Sequence, residues 1–197
     1  MEVVIIKYNA GNTKSVENAL LRLGIYPIIT DNIEKINSAD KVIFPGVGHA
    51  GTTMQFLKEN NLDAVIKKLK QPVLGICLGQ QLMCAYSEEG AVDGLGIFPV
   101  SVKKFENIEG RYKIPQMGWN SLTELKSPLF KNIKENSFVY FVHSYYCTLS
   151  PYTIATCDYI HPFSAALQKD NFYAVQFHPE KSAAIGEMII ENFIVNC

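Results

Sequence analysis

Val3-Val4-Ile5-Ile6, Lys41-Val42-Ile43-Phe44 and Pro72-Val73-Leu74-Gly75-Ile76 are short, nearly continuous apolar runs with many β-branched residues. Successive side chains of a strand point to opposite faces, so a run that is apolar throughout must be covered on both sides. That environment belongs to a parallel sheet between layers of helix. The intervening segments carry the other period. Asn12-Thr13 offers an N-cap, Val16, Leu20 and Leu23 recur at helical spacing, and Gly24 marks a stop. Leu57 to Leu69 reads as a helix with Leu62, Val65, Ile66 and Leu69 on one face, and Leu78 to Tyr86 as another. Tyr26 to Ile29 supplies a further strand. Alternating strands and helices predict an α/β fold, an open, mostly parallel sheet flanked by helices.

The second half has a different pattern. Phe98–Phe105, Phe138–Val142, Tyr152–Cys157, Ser164–Gln168 and Tyr173–Gln176 are strand-like runs separated by turn residues, and a helix over Ala183–Val195 closes the chain. Antiparallel strands added to the parallel core are the expected outcome. No repeat, low-complexity tract or linker interrupts the 197 residues, so one domain over 1–197 is expected.

Composition removes several classes of function. Eighteen basic and 19 acidic residues leave a net charge of −1, which argues against nucleic acid as a partner. No apolar run approaches the ~18 residues of a membrane span, and the first residues lack the basic start of a signal peptide. Five cysteines without a C-x-x-C pair form neither a zinc knuckle nor a complete disulfide framework. No His or Cys pair has metal-ligand spacing, no phosphate loop is visible, and no cofactor or metal is expected. The combination reads as a reduced, cytoplasmic protein in which one cysteine can serve as a nucleophile.

Cys77 is that cysteine. Gly75-Ile76-Cys77-Leu78-Gly79 has the form G-x-C-x-G between a strand and a helix, a nucleophile elbow with sulfur in place of a serine oxygen. So tight a turn leaves no room for side chains two residues before and after the nucleophile, which accounts for both glycines. A helix N-terminus beside the sulfur favours thiolate, and Leu78 N–H is placed to hold an oxyanion. Cys84, Cys147, Cys157 and Cys197 lack that context and read as structural. Of the four histidines, His178 lies just past a strand-like run, and strand carboxyl ends are where sites assemble in open α/β sheets. Glu180, two residues on, can orient the imidazole. His49, His143 and His161 border apolar stretches and read as structural.

With those residues in hand, the chain resembles the class I (triad) glutamine amidotransferases. The match comprises Gly75-Ile76-Cys77-Leu78-Gly79-Gln80-Gln81, Phe177-His178-Pro179-Glu180, and the loop Pro45-Gly46-Val47-Gly48 after the third strand. Within the family it is similar to the glutaminase subunits of imidazole glycerol phosphate synthase, through Pro-Gly-Val-Gly, Pro115-Gln116-Met117-Gly118-Trp119-Asn120 and Tyr140-Phe141-Val142-His143-Ser144-Tyr145-Tyr146. The resemblance implies a flavodoxin-like core and a Cys77–His178–Glu180 triad hydrolysing the side-chain amide of glutamine. It implies an oxyanion hole from Val47, Gly48 and Leu78, and a glutamine pocket formed by Gln81, Glu89, Ser144 and Tyr145. The choice between Glu88 and Glu89 stays open. It further implies a heterodimer with a (β/α)8 cyclase subunit that consumes the ammonia. Asn12, Trp119, Asn120 and Lys181 are the candidate interface residues. A peptide able to flip between glycines around Val47 would make the chain a poor glutaminase when alone.

Departures fall at Lys7, Asn9 and Gln116, where an acid, a glycine and a histidine are frequent; these positions are expected near the partner. Three alternatives remain: a glutaminase of another synthase (pyridoxal phosphate or anthranilate type), a stand-alone γ-glutamyl cysteine hydrolase, and a silent regulatory subunit.

Overall fold

The computed structural model describes residues 1–9, 11–106 and 110–197, so Ala10 of the N-terminal motif lies outside the described residues. In chain order the elements are β1 (Val3–Ile6), α1 (Thr13–Arg22), β2 (Ile28–Thr30), α2 (Ile33–Ser38), β3 (Lys41–Phe44), α3 (Ala50–Glu59), α4 (Leu62–Lys68), β4 (Val73–Ile76) and α5 (Leu78–Met83). There follow β5 (Cys84–Ser87), β6 (Val92–Asp93), β7 (Phe98–Lys104), β8 (Gln116–Ser121), β9 (Phe138–His143), β10 (Tyr145–Cys147), β11 (Thr153–Asp158), β12 (Pro162–Lys169), β13 (Phe172–Val175) and α6 (Ala183–Asn196).

Seven strands form the central sheet in the order β11-β12-β13-β4-β3-β1-β2. From β13 to β2 every pairing is parallel, and β11–β12 and β12–β13 are antiparallel, as the two halves of the sequence predict. The continuous apolar runs have the expected cause. Val3 and Ile5 enter the core layer that contains Phe141, Phe177 and Phe193, whereas Val4 and Ile6 enter the layer that contains Leu57, Ile66 and Phe98. A four-stranded sheet (β10-β7-β5-β6) and the two-stranded ribbon β8–β9 complete the fold. No helix among the described residues is long and apolar enough to cross a membrane.

Beyond the unexpected α2, β5, β6 and β10, three segments depart from the sequence expectation. The helix expected over Leu57–Leu69 is two helices, broken where Asn61 adopts a left-handed conformation (φ 58°) that asparagine tolerates better than most residues. The helix from Leu78 stops at Met83 rather than Tyr86. The carbonyls of Leu82, Met83 and Cys84 accept from Leu95, Ile97 and Gly96, and β5 begins there. The Gln116–Asn120 motif, treated above only as a signature, is strand β8, paired residue by residue with β9.

Candidate active site

Cys77 stands between β4 and α5 with φ 52° and ψ −107°, strained backbone for a non-glycine residue. Its N–H still donates to Val175 O at 2.8 Å, so the sheet fixes the turn from the β13 side. The glycines are required sterically. A Cβ at Gly79 would lie 2.1 Å from Phe44 O, and one at Gly75 would lie 3.0 Å from the Gly79 carbonyl carbon. Because α5 has only six residues, the helix end offered to the sulfur is a short one.

His178 follows β13, the strand beside β4, and this brings it to Cys77. Its Nδ1 donates to Glu180 Oε1 at 2.8 Å, with both side chains nearly inaccessible. Burial works against a charge on the ring, but the Cys77 sulfur and the Glu180 carboxylate outweigh it and push the pKa up to about 10. The backbone holds the residue as well. His178 N–H donates to Tyr140 O at 2.9 Å, and the Ser182 hydroxyl donates to His178 O while accepting from Tyr140 N–H. Sequence reasoning did not find Ser182.

Cys77 and His178 open into a cavity of about 330 Å³ that is also lined by Val47, Gly48, Leu78, Gln81, Glu89, Ser144 and Tyr145. Every residue assigned above to the hole or the glutamine pocket is therefore in one cleft, with Glu180 behind His178. The structure also separates the two glutamates. Glu89 lines the cleft and accepts from Ala50 N–H at the start of α3, whereas Glu88 turns away and accepts from Lys104 N–H. Gln81 directs its amide N–H groups to Tyr145 O (3.0 Å) and to Gln176 Oε1 (2.9 Å), which leaves its oxygen as the available group. Gln176, buried and 3.6 Å from Cys77 Sγ through Nε2, was missed; its place directly before Phe177-His178 was the available signal.

His143, read as structural, is buried in the cleft wall. Burial, opposed by its hydrogen bond to Tyr145 O and aided by the charge of His178, lowers its pKa to about 4, so it is neutral at ordinary pH. Its other nitrogen meets the Gln116 side chain at 3.0 Å. Gln116 thus points inward, at 3% exposure, while Met117 and Trp119 of the same strand are exposed.

Of the donors expected to hold an oxyanion, one is engaged: Leu78 N–H donates to Gly46 O, the carbonyl of the Gly46–Val47 peptide, at 3.4 Å. Tyr8 anchors the foot of this loop by donating from its hydroxyl to Pro45 O. Gly48, at φ 116°, ends it.

The interface candidates divide. Trp119 is 52% exposed and packs edge-on against Tyr140, and Lys181 is exposed. Asn12 instead directs its amide to Glu180 Oε1 at 3.5 Å, and Asn120 holds Asp158 O and Ser121 N–H.

The family described as "Glutamine amidotransferase class-I" matches residues 4–197. This chain belongs to that family. Among full-length relatives of this class I amidotransferase is a Bacteroides fragilis (strain YCH46) protein named imidazole glycerol phosphate synthase subunit HisH. It is 61% identical over 194 residues, covering 98% of this chain and 99% of that one. A Bacteroides thetaiotaomicron protein of the same name is 58% identical over the same coverage. The fold is shared with the crystal structure of a glutamine amidotransferase from Thermotoga maritima (TM-score 0.63, 18% identity, 98% of this chain and 82% of that one).

Proposed function

We propose that this class I amidotransferase is the glutaminase subunit of an imidazole glycerol phosphate synthase in histidine biosynthesis. Cys77 is the nucleophile, His178 the proton carrier and Glu180 its anchor. One observation carries the chemistry: a buried imidazole held by Glu180 faces a strained cysteine on the floor of a cleft of about 330 Å³. The synthase assignment rests on relatives of that name aligned over 98% of the chain.

Glutamine enters with its α-ammonium at Glu89 and the Gln81 oxygen, and its α-carboxylate at Ser144 and Tyr145. The Cys77 sulfur attacks the side-chain carbonyl carbon. The C–N bond then breaks as the His178 proton moves to the leaving nitrogen, giving ammonia and a glutamyl thioester. Water, giving its proton to His178, hydrolyses the thioester to glutamate and restores the cysteine. Rotating the Gly46–Val47 peptide removes Gly46 O from Leu78 N–H and presents Val47 N–H, so the hole acquires two donors at once. Each such donor is worth ~10² to 10³ in rate.

The partner is a (β/α)8 cyclase that uses the ammonia to form imidazole glycerol phosphate and an aminoimidazole carboxamide ribotide. Its docking site is the outer face of the β8–β9 ribbon. Met117, Trp119 and Phe138 are 66%, 52% and 56% exposed there, beside the cleft, an apolar surface of the kind that subunit contacts cover.

Glutamate release tests the whole reading. The chain alone should be nearly inactive and should be stimulated at least ~100-fold by the cyclase with its nucleotide ligand, one to two donors' worth of rate. Cys77→Ala should abolish that activity. Equal turnover with and without the partner would point to an independent hydrolase. Activity retained by Cys77→Ala would remove the triad.

A further inference from the structure

Gln176 has no exposed surface and lies between Gln81 and the nucleophile. Its orientation follows from a chain of contacts that begins at a backbone carbonyl. Tyr145 O can only accept, so the end of the Gln81 amide 3.0 Å away is its nitrogen. That nitrogen also meets Gln176 at 2.9 Å, and an atom facing a donor there must be Oε1. The remaining end of Gln176, its NH2 group, is thereby directed at Cys77 Sγ, 3.6 Å away.

We propose that Gln176 is a catalytic residue: its side-chain N–H donates to the Cys77 sulfur and stabilises the thiolate that attacks the amide. A thiol sulfur is a poor acceptor and a thiolate a strong one, so a fixed donor favours the charged form. His178 cannot fill this role throughout the cycle, because its proton leaves with the ammonia. The amide of Gln176 keeps its protons and faces the sulfur when the thiolate forms and again when the thioester releases it. Gln81 is then a positioning residue for Gln176 as well as a wall of the cleft.

The test reads the sulfur directly. Iodoacetamide alkylation of Cys77 in the full chain, resolved by peptide mass, would be timed for wild type, Gln176→Leu and the isosteric Gln176→Glu. At pH 7 both variants should react at least about tenfold more slowly, as expected for loss of a hydrogen bond to a charged group. At pH 10, where thiols ionise unaided, they should come within about twofold of wild type; a variant that merely closed the cleft would stay slow. A second measurement needs no change at Gln176. The side-chain amide resonances of Gln176 in ¹⁵N-labelled wild type should move when Cys77 is alkylated and should be displaced in Cys77→Ala. Wild-type alkylation rates at pH 7 in the folded variants, or amide resonances indifferent to Cys77, would overturn the proposal. It rests on Cys77 as the nucleophile, yet the two ideas fail separately. Glutamate release by Cys77→Ala sinks the nucleophile, whereas unaltered alkylation in the Gln176 variants sinks the donor.

Discussion

Adding a single methyl group at Gly79 puts the elbow and the oxyanion loop in conflict. The Cβ of Gly79→Ala would lie 2.1 Å from Phe44 O and 3.2 Å from the Phe44 carbonyl carbon. Reaching even 3.0 Å requires the two backbones to part by about 0.9 Å, and neither can yield by rotating a side chain. Phe44 is the buried last residue of β3, paired with Gly75, and Gly79 is in the first turn of α5. Overpacking costs roughly 1–3 kcal/mol, and a contact between two fixed backbones belongs at the upper end. The better helix propensity of alanine returns about 1 kcal/mol, leaving a net loss of about 2 kcal/mol. Activity should suffer more than stability. The displaced segment carries both Leu78 N–H and Gly46 O, and a misplacement of about 1 Å costs on the order of 10²-fold in rate. Urea unfolding gives the first number, and cyclase-stimulated glutamate release the second. Gly96→Ala is the control, with positive φ but no atom within 4 Å, and should cost only about 1 kcal/mol with turnover unchanged. A Gly79→Ala chain within about 0.5 kcal/mol of wild type and within threefold in turnover would refute this account of the elbow.

Stability should fall on both sides of about pH 6.5, the ordinary histidine pKa. His178, raised to about 10, contributes stability that is complete below 6.5 and is lost as pH rises through 10; His143, lowered to about 4, contributes stability present above 6.5 and lost as pH falls through 4. Urea midpoints against pH should show both limbs, with Cys77→Ala reducing the alkaline slope and His143→Gln the acid one. Glu89→Gln should raise the KM for glutamine about tenfold with little change in kcat, and Glu88→Gln should leave both near wild type, as initial rates in the stimulated complex will show. Trp119→Ala should weaken cyclase binding by about 2 kcal/mol in a titration while the melting temperature of the isolated chain stays put, because half of the indole already faces solvent.

The parts of the fold legible in the sequence are those where one local signal decides. Lys41–Phe44 was read to the residue, since an apolar run bounded by Pro45-Gly46 has few other uses. Gly75-Ile76-Cys77-Leu78-Gly79 announced the elbow because two glycines at that spacing answer a steric demand that the structure displays. What escaped was decided at a distance. The helix after Cys77 ends at Met83 because Leu95, Gly96 and Ile97 take its carbonyls. The side-chain bonds of Gln116 to His143 and of Asn120 to Asp158 O join residues far apart in the chain and carry no local signal. The approach of Gln176 to Cys77 became visible only when β13 was set beside β4, and Ser182 only when the β8–β9 ribbon was laid across the loop that carries His178.

The restraint within the site is uneven, and the unevenness agrees with a chain that waits for a partner. His178 is held by Glu180, by Tyr140 O through its own N–H, and by the Ser182 hydroxyl. Cys77 is held by Val175 O, and its elbow is closed by contacts that admit no Cβ. The Gly46–Val47 peptide also lies close on α5, where a Cβ at Gly46 would meet Gly79 N at 2.6 Å, but among the described residues its carbonyl is held by one bond of 3.4 Å, to Leu78 N–H, the proposed oxyanion donor. Moving the triad would break several buried bonds, whereas turning this peptide exchanges one weak bond for a completed hole. The same loop opens onto the cleft beside the exposed ribbon, so a partner seated on Trp119 stands next to the part of the machinery that is easiest to move. On the proposed reading, control exerted there would spare glutamine without disturbing Cys77, and it predicts that an alkylating agent, which needs no oxyanion hole, will react with Cys77 at similar rates in the resting chain and in the stimulated complex.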